Sequence, residues 1–209
     1  MKKILYLALI NLAYQFPMQA QLNNNGAIIK LTTGSFIVLQ DINLNNNGTF
    51  LQSTGSVKMT GATNNYILGS TRPQFFNLVI AKNETKQVQL ATDINIAGEL
   101  QFSSGLLHLN RKNIFLVGAA LLKGEMENRR IIGPTGGYVE AKALLITPAN
   151  ANPGNLGAWI TSARNLGTTI IRRGHQSQAI GGGAPASISR HYEIIPAVNT
   201  NLNATLRLT

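Results

Sequence analysis

The residues of this chain whose types could do chemistry are three histidines, two glutamates set two apart, and a run of three glycines. His108, His175 and His191 could hold a metal or move a proton. They lie far apart in the sequence, whereas zinc sites usually take close pairs of ligands from one element. Glu125 and Glu127 precede Arg129 and Arg130 in the most charged stretch of the chain. Paired carboxylates cleave a glycosidic bond when they stand on opposite sides of it, and β-helical lyases use basic and acidic residues in a groove. A spacing of two does not supply that arrangement. The stretch reads instead as a solvated cap that covers an open sheet edge with charge. Gly181-Gly182-Gly183 is followed by Ala184-Pro185-Ala186 and lacks the Lys and Ser/Thr of a phosphate loop. It reads as a flexible loop. The absence of cysteine excludes thiol catalysis and cysteine metal sites. The expected catalytic, cofactor-binding and metal-binding residues are therefore none.

The surrounding composition favours strands. Charged residues make up 12% of the 209, about half the usual globular share, and Asn, Gln, Ser, Thr and Gly supply the polar surface. Such residues suit turns and strands better than helices. Apolar and polar residues alternate in Val57-Lys58-Met59, Val88-Gln89-Leu90 and Leu107-His108-Leu109, the period of a strand with one buried face. Turns marked by Asn-Gly, Thr-Gly and Ser-Gly recur every few residues.

A short phrase repeats. Gly26 to Gly34 and Gly48 to Gly55 follow identical leaders, Asn23-Asn24-Asn25 and Asn45-Asn46-Asn47, 22 residues apart. A third copy, Gly98 to Gly105, aligns with the second at a shift of 50, mapping Gly48 to Gly98 and Phe50 to Leu100. Asp41-Ile42-Asn43-Leu44 recurs as Asp93-Ile94-Asn95-Ile96. Repeats of this period mean stacked units. One turn of a parallel coil needs three short strands and three corners, which is about this length, and asparagines at matching corners can stack into hydrogen-bonded ladders. An Asn-Gly turn also suits a hairpin, so an antiparallel sandwich is the rival for residues 21–124.

The expected organisation has four parts. Residues 1–20 read as a secretory signal, with Lys2 and Lys3 ahead of the apolar run Ile4 to Ala13. That run is too short to span a bilayer. Residues 21–124 form the β-helical repeats, and 125–137 a linker or cap rich in Gly and Pro. Residues 138–209 form a β-sandwich-like module with strands at Tyr138 to Ile146, Ala158 to Thr161, Thr168 to Arg172, Arg190 to Ile195 and Ala204 to Leu208. The fold class is all-β, a short parallel β-helix or solenoid followed by that module.

The net charge is +10, from which loss of the two leader lysines leaves +8. Lys and Arg are scattered, with no basic helix face and no aromatic-basic interleaving, so specific nucleic-acid binding is not expected. Surface polysaccharide or another anionic polymer is the partner that charge alone would attract. Three Asn-X-Thr sequons, at Asn47, Asn83 and Asn203, carry no further implication.

Several segments together carry a family resemblance. They are the export signal, the Asn-Asn-Asn-Gly-Thr-Phe rungs, Phe75-Phe76-Asn77-Leu78-Val79-Ile80, Gly137-Tyr138-Val139-Glu140, Thr169 to His175, Ser189 to Pro196 and Asn203-Ala204-Thr205-Leu206-Arg207. With these the chain resembles the large secreted, repeat-rich cell-surface proteins of Bacteroidetes, many of them exported by the type IX system. The resemblance implies a secreted or cell-surface, non-enzymatic scaffold of adhesin-like type, with no cofactor. Proteins of this kind usually end in a sorting domain, so the resemblance also implies an N-terminal fragment whose outer-membrane association would come from a region after Thr209. The alternative reading is a carbohydrate-active or polysaccharide-binding β-helix, which expects Glu or Arg side chains to converge on one face of neighbouring rungs.

Overall fold

In a computed structural model, the described residues are 20–51, 54–178 and 189–209. All of the expected leader but Ala20, and the Gly181-Gly182-Gly183 loop, lie outside them. The alternating segments form strands that wind into a parallel β-solenoid of about five turns. The first coil holds β1 (Gln21–Asn24), β2 (Ile28–Ile29) and β3 (Phe36–Gln40), and the second β4 (Asn43–Asn46), β5 (Thr49–Phe50) and β6 (Ser56–Gly61). The third holds β7 (Asn65–Leu68) and β8 (Gln74–Lys82), the fourth β9 (Gln87–Leu90) and β10 (Ile94–Ser104). Here one long strand bends across a corner and serves two faces. The fifth holds β11 (Leu106–His108), β12 (Ile114–Leu116) and β13 (Leu121–Lys123). β12 and β13 both pair with β10, at its start and its middle.

Three parallel faces result. The first runs β1-β4-β7-β9-β11 and the third runs through β3, β6, β8, β10 and β13. The second contains β2, β5, the starts of β8 and β10, and β12. The antiparallel rival for residues 21–124 is thereby excluded. Alternation buries Val57, Met59, Val88, Leu90, Leu107 and Leu109 completely, and Phe50 meets Phe75 inside with ring centroids 5.3 Å apart.

The asparagine leaders stack as expected, Asn23 on Asn45 and Asn24 on Asn46. Asn24 Nδ2 donates to Asn46 Oδ1 at 2.8 Å and to the Thr49 carbonyl at 3.3 Å. One coil on, Asn46 Nδ2 donates to the Thr71 carbonyl at 3.0 Å. Outside, Asn45 Nδ2 donates to Asn23 Oδ1 at 3.2 Å. The backbone above Asn46 must come very close. A Cβ on Gly69, where φ is +122°, would lie 2.1 Å from the Asn46 carbonyl oxygen.

The third copy of the phrase stacks differently from its alignment. Strand register places Ser56 on Asn77 and Asn77 on Glu99, so Gly98 belongs to the column of Gly55 rather than of Gly48. Likewise Asn43 lies on the first face and Asn95 on the second. All three faces are written as turn, short strand, turn, and a local match therefore slides by one face without penalty.

Stacking runs beyond the repeats. β14 (Ile131–Ile132) adds to the first face, and the start of β15 (Tyr138–Ile146) pairs in parallel with β12. The direction then reverses. After a short 3-10 turn at Pro153–Asn155 come β16 (Ala158–Ser162), β17 (Asn165–Gly174), β18 (His191–Pro196) and β19 (Ala204–Leu208). β17 and β18 extend the β15 sheet antiparallel, while β16 and β19 form a separate antiparallel pair. The strands expected after residue 137 are all present, and the first, third and fourth belong to the sheet of the coil itself. Among the described residues no helix is long and apolar enough to cross a membrane.

Asn46→Ala removes the donor to Thr71 and the acceptor of Asn24 in one step. Orphaning a buried polar group costs about 1–3 kcal/mol, so the urea midpoint should fall by that equivalent at constant slope. Gly69→Ala, which combines a positive φ with backbone overlap, should cost at least as much in the same experiment.

Candidate functional site

The charged stretch after the fifth coil meets the antiparallel strands in a cleft of about 600 Å³. β17 places Arg173 there, buried to 2% exposure, because Arg173 points inward from the strand that closes the coil end. Each edge of its guanidinium is used. Nη2 donates to Glu125 Oε2 at 2.8 Å, Nη1 to the Leu156 carbonyl at 3.2 Å and Nε to His175 Nε2 at 3.2 Å. Glu125 Oε1 accepts the Ile131 amide at 2.9 Å, which ties the pair to the last strand of the first face. Tyr192 Oη donates to the same Leu156 carbonyl at 2.8 Å.

The solvated cap expected at Glu125 is thus half right. Glu125 keeps only 15% of its side chain exposed and neutralises a buried cation, whereas Glu127 is exposed on the cleft rim. Sequence separation hid the partner, since Glu125 and Arg173 are 48 residues apart. Around them stand Arg130, Asn152, Asn155, Trp159 and Arg190. Arg207 stacks over the Trp159 ring, its guanidinium carbon 4.8 Å from the centroid. Arg190 Nη1 donates to the Thr209 carbonyl at 3.0 Å. Arg129 turns away and donates to the Ser103 carbonyl at 3.0 Å.

The histidines separate as their spacing implies, with one exception. His108 is half-buried on β11, and burial lowers its pKa. His175 and His191 are brought together where Gly174 pairs with His191. His191 Nδ1 lies 3.1 Å from the Gln176 carbonyl. Burial first, and then the charge of Arg173, push His175 down to about 2. It is a neutral acceptor for Arg173 rather than a proton carrier. Among the described residues no three His, Asp or Glu side chains converge to hold a metal ion.

The outer faces of the coil differ. Asn45, Tyr66, Gln89 and His108 point outward on the first face, which is neutral. The second face carries a track along the axis. Asp93 pairs with Arg72 at 3.0 Å, Arg72 stacks over Phe115 at 4.5 Å, and Phe115 meets the edge of Tyr138 at 6.2 Å. Arg172 stacks over Tyr138 at 4.8 Å and bridges Glu140 at 2.9 Å and Glu193 at 3.0 Å. Charged groups do converge on this face, and its carboxylates are all engaged in ion pairs.

Glu125→Ala leaves Arg173 buried and unpaired, a change that costs about 3–5 kcal/mol for a buried pair. A denaturation series should show a loss of that size, while Glu127→Ala should change stability by less than about 0.5 kcal/mol. His175 supplies a pH dependence. Its folded pKa lies below the unfolded 6.5, so the unfolded chain takes up the proton first and stability falls as pH drops below about 6.5. In His175→Gln the fall between pH 6.5 and 4 should be shallower.

No protein-family model, no curated protein and no solved structure matches this chain.

Proposed function

We propose that the protein is an exported, non-enzymatic surface scaffold of adhesin-like type, in which the coil is a stalk and the non-repeating end faces a partner. The observation that carries this reading is the commitment of the buried carboxylate and cation in the cleft. Glu125 is held by Arg173 and the Ile131 amide, and Arg173 by three acceptors. A general acid or nucleophile needs a free proton site or lone pair aimed at substrate, and these groups spend theirs on joining the coil to the strands beyond it. The leader-like N-terminus and the resemblance to Bacteroidetes surface proteins support export. The purified chain without its leader should release no product from a panel of acidic and neutral glycans. Sustained cleavage that is lost in Glu127→Gln would overturn the reading.

A second reading rests on the cleft rim. Arg130, Asn152 and Trp159 combine a cation, an amide and a flat ring, the groups that bind a carboxylated sugar. Binding of an acidic oligosaccharide should weaken about tenfold or more in Arg130→Ala and in Trp159→Ala, since a charge-assisted hydrogen bond contributes about 1.5–3 kcal/mol. Equal binding by both variants would reduce the affinity to general charge, which fades near physiological salt.

A further inference from the structure

Lys82 ends β8, and its side chain is wholly buried. Lysine is almost never found there unpaired, because an ammonium loses its hydration. The side chain has room because its column is otherwise glycine. Gly61 lies beneath it in register, and a Cβ on Gly105 above would come within 2.6 Å of Lys82 Cβ. Lys82 reaches into the corner between the third and first faces. There Nζ meets Asn65 Oδ1 at 2.5 Å, Asp41 Oδ1 at 3.2 Å and the Thr60 carbonyl. Asn65 is 1% exposed, and its Nδ2 is directed at Asn43 Oδ1, 3.4 Å away.

These are a nucleophile, an electrophile and a base. A carbonyl is about 1.23 Å long, so an amine 2.5 Å from Oδ1 can be no further than about 3.7 Å from Asn65 Cγ. That borders the roughly 3–3.5 Å of a near-attack arrangement. Burial lowers the pKa of Lys82, and Asp41 opposes the shift. Asp41 is itself held below the usual carboxylate range, first by the Thr63 amide at 2.8 Å and also by the Thr63 hydroxyl. An amine freed of its proton by burial is a strong nucleophile.

We propose that Lys82 and Asn65 condense to an intramolecular amide, with Asp41 moving the protons. Asp41 takes one proton from the Lys82 ammonium. The amine then attacks Asn65 Cγ, and the Nζ–Cγ bond forms. A second Nζ proton passes to Nδ2, the Cγ–Nδ2 bond breaks, and ammonia leaves, taking the proton held by Asp41 to depart as ammonium. The carboxylate is regenerated, charge is conserved, and no oxidant or other co-reactant is needed. The product closes residues 65 to 82, three faces of one coil, into a covalent ring. The inference depends on these side chains and not on the surface role proposed above.

Peptide mapping by tandem mass spectrometry tests it on the folded, purified chain. The expected species is a branched peptide joining Lys82 to Asn65, lighter than the two linear peptides by one ammonia. An N-terminal glutamine such as Gln21 also loses ammonia on cyclising, so the branch point itself must be located. Lys82→Arg should abolish the branch. Asp41→Ala, folded by circular dichroism, should slow its formation about 100-fold or more, the range of general acid–base catalysis. Linear peptides with unmodified Lys82 and Asn65, in wild-type protein kept for days at physiological temperature, would overturn the proposal without any variant having to fold. A branch that forms at the wild-type rate in Asp41→Ala would overturn the role of Asp41.

Discussion

In a parallel coil an inward-pointing polar group has to find its partner within its own rung or one rung away. Water is excluded, and an unmet amide in the interior costs more than its hydrogen bond would have contributed. This constraint governs the asparagine corner. Asn24 reaches the Thr49 carbonyl, and Asn46 reaches the Thr71 carbonyl, by the same bond one coil apart. The chain above can accept those bonds only by passing almost in contact with the amide. Gly48 and Gly69 stand at those crossings, where a Cβ would sit 2.4 Å from the Ala27 carbonyl and 2.1 Å from the Asn46 carbonyl. A glycine stands at each crossing because one hydrogen bond is repeated there.

The same constraint decides how the coil ends. A parallel stack that simply stopped would present open strand edges and buried polar groups with no next rung. Here β15 lengthens past β12, the chain doubles back, and β17 and β18 add two antiparallel strands to the sheet. The inward polar group at that level is Arg173, and its neighbour in register on β18 is Tyr192, which carries no charge to neutralise it, so the counter-charge comes from the coil below. Glu125, in the segment between β13 and β14, supplies the charge. The pair is a seam between the coil and its closure, and the cleft is the space left beside that seam.

The architecture was legible because its cause is local. Val57-Lys58-Met59 alternates, Asn23 to Asn25 recurs 22 residues later, and the pleat and rung length follow from those two facts. Phase was not legible. Gly48 and Gly98 obey the same turn grammar on different corners, and only the interstrand pairing of Ser56 with Asn77 and Asn77 with Glu99 tells them apart. The cleft was illegible for a related reason. Its contacts join positions tens of residues apart, such as Glu125 with Arg173 and Tyr192 with Leu156, and no repeat records them. His175 carries no motif at all, and its neutrality arises from burial against an arginine.

Residues that break a repeat's own rule mark where something other than folding is being satisfied. Among the described residues two buried cations do so, Lys82 and Arg173, and their chemistry separates their roles. Arg173 has a guanidinium that stays charged and is not a nucleophile, and each of its three nitrogens donates to an acceptor. A side chain in that state can only hold things together. Lys82 sits in a column that otherwise holds glycine, and it could be replaced by a third glycine without breaking any strand pairing, since its backbone alone makes the ladder. Its amine has a titratable proton, an amide carbon within reach and a carboxylate at 3.2 Å. An apolar residue at this corner would leave the Asn65 and Thr60 oxygens without the donor that Lys82 gives them. What a lysine offers beyond those hydrogen bonds is reactivity toward Asn65.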